Sequence, residues 1–319
     1  MRRRRDAGPC YVARSHDWNA PVRRLIALIL GMGLLLVLPA IAAAWGLAAH
    51  AMIARQAVES VPGTLGAFLR ENRERVVEHV IEPDNVLKRR YGRRERIRHY
   101  TNLENLAAPP FTDIPPDYDA ARARYGRARL ERAGILPWIT EQFHRRLVEA
   151  MKRRDARETL RLSGLLGHYV ADAFAPLHST RNHDGQLTGN RGIHEYYETE
   201  MIRRRAKFFR DLGPLAPVPE RAAPRVSARI LVVLREGYAA VPAILAADTA
   251  ARERATPPRV AYLDRVFQGV GTQARDRMRA AARETAALWT SAWVEAGRPD
   301  LRNMGQVGGS GRDRGAIAR

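Results

Sequence analysis

Beyond residue 45, apolar positions along the chain recur at intervals of three and four, as in Leu162, Leu165, Leu166, Tyr169, Val170 and Ala173. No alternating β-branched run reaches strand length. The pattern predicts an all-α fold made of one multi-helix domain, with helices over Ala48–Ser60, Gly63–His79, Asp117–Ala133, Trp138–Arg153, Ala156–Ala173, His194–Asp211, Val226–Ala240 and Ala261–Glu295. Pro-rich connections at Ala108–Pro116 and Leu212–Pro224 separate some of these, each holding a Pro, Gly or Asp that stops a helix. No repeat of solenoid period is visible. Residues 302–319 are rich in Gly and Arg without apolar periodicity and read as a disordered tail.

The first 44 residues follow a different rule. Seven arginines against two aspartates surround an apolar run from Leu25 to Leu38, which leads into Pro39 and the small-residue string Ala42-Ala43-Ala44. That is the layout of a secretory signal with an A-x-A cleavage site, and cutting after Ala44 makes Trp45 the first residue of an exported chain. The competing expectation is an uncleaved membrane anchor through residues 25–44, a stretch long enough to span ~30 Å of hydrocarbon. The catalytic domain is then expected over residues 45–301.

Composition changes this picture in two respects. A formal charge of +20 over 319 residues favours polyanionic partners, either nucleic acid or an anionic membrane surface, without choosing between them. The sole cysteine, Cys10, lies ahead of the predicted cleavage point, so the exported chain forms no disulfide and offers no thiolate. Any metal must sit on nitrogen and oxygen ligands.

Histidine carries the candidate chemistry. On a helix His168 and Asp172 share a face, and Pro176 then ends the helix and lets His178 turn toward the same space. The four-residue spacing recurs at His194 and Glu198. Imidazole and carboxylate without thiolate fit zinc in an open, water-bearing site better than in a closed structural one. His79, His144 and His183 match no such pattern and read as surface or supporting residues, and His16 would leave with the signal.

In their order along the chain, these motifs resemble the zinc-dependent phospholipase C and S1/P1 nuclease superfamily. The resemblance rests on Trp45-Gly46 followed by His50, Asp84 upstream of His99-Tyr100, His168-x3-Asp172-x5-His178, and His194-x3-Glu198. A weaker echo runs from Ala287-Leu288-Trp289 to Gly297. The resemblance implies an all-helical fold with three zinc ions: one on Asp84, His99, His168 and Asp172; a near neighbour on Trp45, His50 and the bridging Asp172; and a third on His178, His194 and Glu198. It also implies that Trp45 binds through a free amine and its carbonyl oxygen, so that signal removal completes the site. Close divalent ions lower the pKa of a shared water and offset the charge of an anionic phosphodiester. Asp84 is a candidate for orienting that water, and Asp184 for supporting a ligand from behind.

The substrate is divided by the same resemblance. The nuclease side carries an arginine three residues after the aspartate at position 84, where this chain has Leu87, and Lys88 or Arg89 is the candidate substitute. Leu87, Tyr197-Glu198 and Tyr169 lean toward phospholipase C, whereas the short interval from Trp45 to His50 and the Asp184 to Asn190 loop lean toward nuclease. The leading expectation is phospholipase C-like hydrolysis by a monomer, with a single-strand nuclease as the alternative. A third reading is a non-catalytic zinc-stabilised membrane protein that keeps its apolar segment.

Overall fold

The computed structural model describes residues 45–253 and 259–301. The predicted signal or anchor at 1–44 and the predicted tail at 302–319 lie outside the described residues. Among the described residues there are helices and turns but no strand. The longer helices are α1 (Leu47–Ser60), α2 (Gly63–Glu71), α3 (Arg73–Val80), α4 (Tyr118–Tyr125), α5 (Arg127–Ala133), α6 (Leu136–Lys152), α7 (Ala156–Phe174), α8 (Val226–Arg252) and α9 (Arg259–Glu295).

Helix α7 is the axis of the fold. It is apolar on nearly every side, which is how a fully enclosed helix reads. It packs on α3, α6 and α9, and α9 packs in turn on α1 and α8. Asp155 starts α7, its Oδ1 accepting from the Glu158 amide at 3.0 Å, as a capping carboxylate does. Gly164 allows α3 to approach, because a Cβ there would lie 2.4 Å from the Cβ of His79. On the opposite side the Trp289 indole of α9 donates to the Ser163 carbonyl at 2.9 Å. Helix α8 has the length and hydropathy of a membrane span, yet it packs against α6, α7, α9 and the turn at Pro176–Ser179.

Several predicted boundaries are corrected. The helix expected over Gly63–His79 is two, parted at Asn72, whose φ of −107° and ψ of 21° leave the helical region while its side chain donates to the Phe68 carbonyl. That over Asp117–Ala133 breaks at Gly126, whose φ of 71° is open to glycine and strained for other residues. The segment from His194 to Asp211 is helical through a π turn to Arg204, breaks at Arg205 and resumes over Ala206–Arg210. Helix α8 runs past Pro242 to Arg252, since buried Val241, Ile244 and Ala251 hold it against the core beyond the proline.

Candidate metal centre

The nine sequence-predicted ligands, from Trp45 to Glu198, converge on one buried region at the C-terminal end of α7. Two of them sit on π-helical turns, a wider winding that recurs at functional sites: Asp84 on Pro83–Leu87 and Glu198 on Tyr196–Glu200. Neither turn is legible in the hydrophobic pattern. His50 comes from α1, and His168 and Asp172 from one face of α7. His178 comes from the 3-10 turn that Pro176 opens after α7 ends.

Asp172 is the hub. Its Oδ2 lies 2.8 Å from His99 Nδ1 and 3.2 Å from His168 Nε2, and its Oδ1 lies 3.3 Å from His50 Nε2 and 3.9 Å from His178 Nδ1. Asp84 Oδ1 approaches His99 Nδ1 at 3.7 Å and His168 Nε2 at 3.9 Å. Farther along, Glu198 Oε2 lies 2.9 Å from His194 Nε2 and 3.4 Å from His178 Nε2. Three groups therefore have ligand atoms close enough to share an ion: His50 with His168 and Asp172, Asp84 with His99 and His168, and His178 with His194 and Glu198. The Trp45 amide donates to Glu198 Oε2 at 3.0 Å, so its hydrogen-bond partner belongs to the third group.

Ring orientation is set from outside the cluster. His168 Nδ1 donates to the Val80 carbonyl at 2.8 Å, and His178 Nδ1 to the His99 carbonyl at 2.6 Å. Each bond leaves Nε2 as the free nitrogen facing the carboxylates, the arrangement that holds a ligating imidazole in place. Asp184, a predicted supporting residue, accepts the Gly192 amide at 3.0 Å and the His194 amide at 3.4 Å, and so shapes the turn that presents His194. Asn190 faces away, its amide donating to Asp248, Thr249 and the Leu245 carbonyl of α8.

The electrostatics suit cations. Burial opposes ionisation of Glu198, but His194 and His178 outweigh it and hold the carboxyl down to about 2. Asp172 is likewise held well below the usual carboxylate range, with burial overcome by His168 and by bonds to its histidine neighbours. Against its own burial, Glu198 lifts His178 to about 9. Buried atoms without a hydrogen-bond partner among the described residues include His50 Nδ1 and Nε2, Asp84 Oδ2, His99 Nε2, Asp172 Oδ1, His178 Nε2, His194 Nε2 and Glu198 Oε1. So dense a set of unsatisfied donor atoms in one place is costly unless a ligand engages it. An all-nitrogen-and-oxygen set of this kind fits zinc.

Several predicted positions take other roles. Lys88 is nearly buried and donates to Asp84 Oδ1 at 2.5 Å, and Arg89 folds back on the Asn85 carbonyl, so neither reaches outward as a phosphate contact would. Leu87, at the position of the missing arginine, is core. His144 is not a surface residue but a core one, bonded to Ser291 at 3.2 Å, and His183 stacks edge-on against His194. One neighbour escaped the sequence reading. Glu95, fully buried, lies 3.4 Å from His99 Nε2, accepts from the Tyr169 hydroxyl and pairs with Arg98 at 3.1 Å. Its four-residue interval from His99 was the available signal.

A probable serine protease of Bradyrhizobium tropiciagri is 27% identical over 217 residues, 59% of this chain and 27% of that protein, so the chain spans about a quarter of that relative's length. The family model described as zinc dependent phospholipase C matches residues 49–229, from the residue before His50 to beyond Glu198. With the match covering more than half of its length, the chain belongs to the zinc-dependent phospholipase C family.

Proposed function

We propose that residues 45–301 form an exported hydrolase that cleaves phospholipid phosphodiesters in the manner of phospholipase C, using three zinc ions. The ligands in this reading are Asp84, His99, His168 and Asp172 for one ion, Trp45, His50 and Asp172 for a second, and His178, His194 and Glu198 for a third. The observation that carries it is the convergence of unpartnered imidazole and carboxylate atoms on Asp172 and Glu198.

Bound zinc supplies Lewis acidity toward the phosphodiester and acidifies a water. The chain's own groups do the rest. Asp84 stays ionised, since His168, Lys88 and His99 outweigh the burial that works against it, and its Oδ2 is free to orient water and accept a proton. The water oxygen adds to phosphorus, the bond from phosphorus to the glycerol oxygen breaks, and the displaced oxygen takes up a proton. The products are a diacylglycerol and a phosphorylated headgroup. Trp45 is fully buried beside Glu198, and cleavage after Ala44 turns its peptide nitrogen into an amine able to bind metal.

The preference for lipid over nucleic acid is supported by the family match, by buried Leu87 and by the inward engagement of Lys88. The test is a side-by-side assay of zinc-loaded protein, its N-terminus confirmed as Trp45 by mass spectrometry, on phosphatidylcholine vesicles and single-stranded DNA. Chelator-sensitive release of phosphocholine supports the reading. Cleavage of DNA alone would replace it with the nuclease, and an intact N-terminus with no turnover of either substrate would favour the non-catalytic membrane protein.

A further inference from the structure

Between Asp84 and His99 the chain carries a dense basic run with most of its arginines exposed. On α4 to α6 several arginines are engaged locally: Arg124 pairs with Asp113, Arg127 with Glu131, Arg145 with Glu141, and Arg129 bonds the Asn105 and Leu106 carbonyls. Arg90, Arg93, Arg94 and Arg96 are all exposed, and among the described residues none of them pairs with a carboxylate. Arg89 and Arg98 are the exceptions among the arginines of the run, Arg89 folded back on Asn85 and Arg98 held by Glu95.

Exposed apolar side chains accompany the charge. Val86 is 51% exposed, and it lies three and four residues ahead of Arg89 and Arg90 on one side of the same winding. Leu187, 59% exposed, sits on the loop whose Asp184 holds the His194 turn, and Leu47, 37% exposed, follows Trp45 by two residues. Three of the five large apolar residues that are exposed among the described ones therefore stand on segments carrying candidate ligands.

We infer that the Val86–Arg96 ledge docks the protein on an anionic bilayer, with arginines on lipid phosphates and Val86 entering the headgroup boundary. Free guanidinium groups beside a free aliphatic side chain match a negatively charged interface, where each basic residue adds attraction and buried apolar area adds more. Nucleic acid would use the same charge but has no call on exposed Val86, and Tyr91, the aromatic side chain within the ledge, is half-buried with the Arg90 guanidinium over its ring. The inference rests on the phospholipid reading above for its occupant, since docking here brings the metal centre to its substrate.

The test uses the full chain with Cys10 replaced by serine and an environment-sensitive fluorophore on Val86→Cys, or on Lys152→Cys as control, in the presence of chelator so that no lipid is consumed. Lys152 precedes α7, and roughly 18 Å of that helix separates Ala156 from His168. The expected result is a blue-shifted Val86 probe on phosphatidylcholine vesicles containing phosphatidylglycerol, little response on phosphatidylcholine alone, and a silent Lys152 probe. Charge reversal at Arg90, Arg93 and Arg94 to Glu should weaken the response on the order of 100-fold and remove its salt dependence. A Val86 probe that stays in water on both vesicles, or responds no differently from Lys152, overturns the inference. So does a probe that answers single-stranded DNA but not lipid. Hydrolysis of short-chain, non-aggregated phosphatidylcholine is measured separately. Hydrolysis without docking sinks this inference alone, and docking without hydrolysis sinks the phospholipase reading alone.

Discussion

At the scale of single residues, the partners of a buried histidine, and not its burial, separate candidate ligands from look-alikes. His144 shares the low exposure of the candidate ligands, but its partner is the Ser291 hydroxyl, with Glu295 at 3.9 Å. Burial holds its imidazole below the ordinary value of 6.5, partly countered by Glu295 and Glu141. A group depressed in the folded state contributes stability that is fully present above its unfolded pKa and is lost as pH falls through the folded one. His144→Gln should therefore flatten the decline of stability below pH 6.5 relative to the native chain, read as the denaturation midpoint on either side of that pH. Zinc content should not change, and at neutral pH the cost should be about 1–2 kcal/mol, as for a lost buried hydrogen bond. Glu95 predicts the opposite pattern. It backs His99, so Glu95→Gln should weaken zinc binding by roughly 10-fold to 100-fold in a chelator competition, with helical content intact. Unaltered affinity would mean that Glu95 serves only Arg98 and Tyr169.

At the scale of elements, much of the fold was readable because long helices declare themselves by periodicity. Helices α1, α6, α7 and α9 lie within a few residues of their predicted limits. The misses have local causes, since Asn72 and Gly126 act through a side-chain bond and a φ angle that apolar spacing does not encode. The π turns around Asp84 and Glu198 are invisible for the same reason, although the residues themselves stood out by type and interval. Two element-level consequences can be measured. Gly164→Ala should push α3 off α7, because its Cβ would meet His79 and the Val80 amide at 2.4 and 2.8 Å, and should lower both thermal stability and zinc affinity by moving the Val80 carbonyl that orients His168. Asp248, fully buried in α8, ties down the loop behind His194 by accepting from Asn190 at 2.8 Å and from Tyr262 and Arg252. Asp248→Ala should loosen that loop, seen as faster amide exchange over residues 184–194, and should weaken the proposed zinc site of His178, His194 and Glu198 before the others.

At the scale of the whole molecule, the candidate metal centre lies in the buried interior, at the enclosed C-terminal end of α7. Within the net charge of +20, exposed Arg90, Arg93, Arg94 and Arg96 stand close together along the chain between Asp84 and His99, a clustering that composition alone does not show. Asp172 is the single residue through which two of the three proposed ions communicate, since its two oxygens face His50 on one side and His99 and His168 on the other. The most direct measurement is zinc per chain by mass spectrometry of the native protein and of Asp172→Asn. The account predicts three zinc ions on the native chain and the loss of more than one on the variant, with the His178, His194 and Glu198 ion retained. Equal zinc content in the two proteins would contradict it.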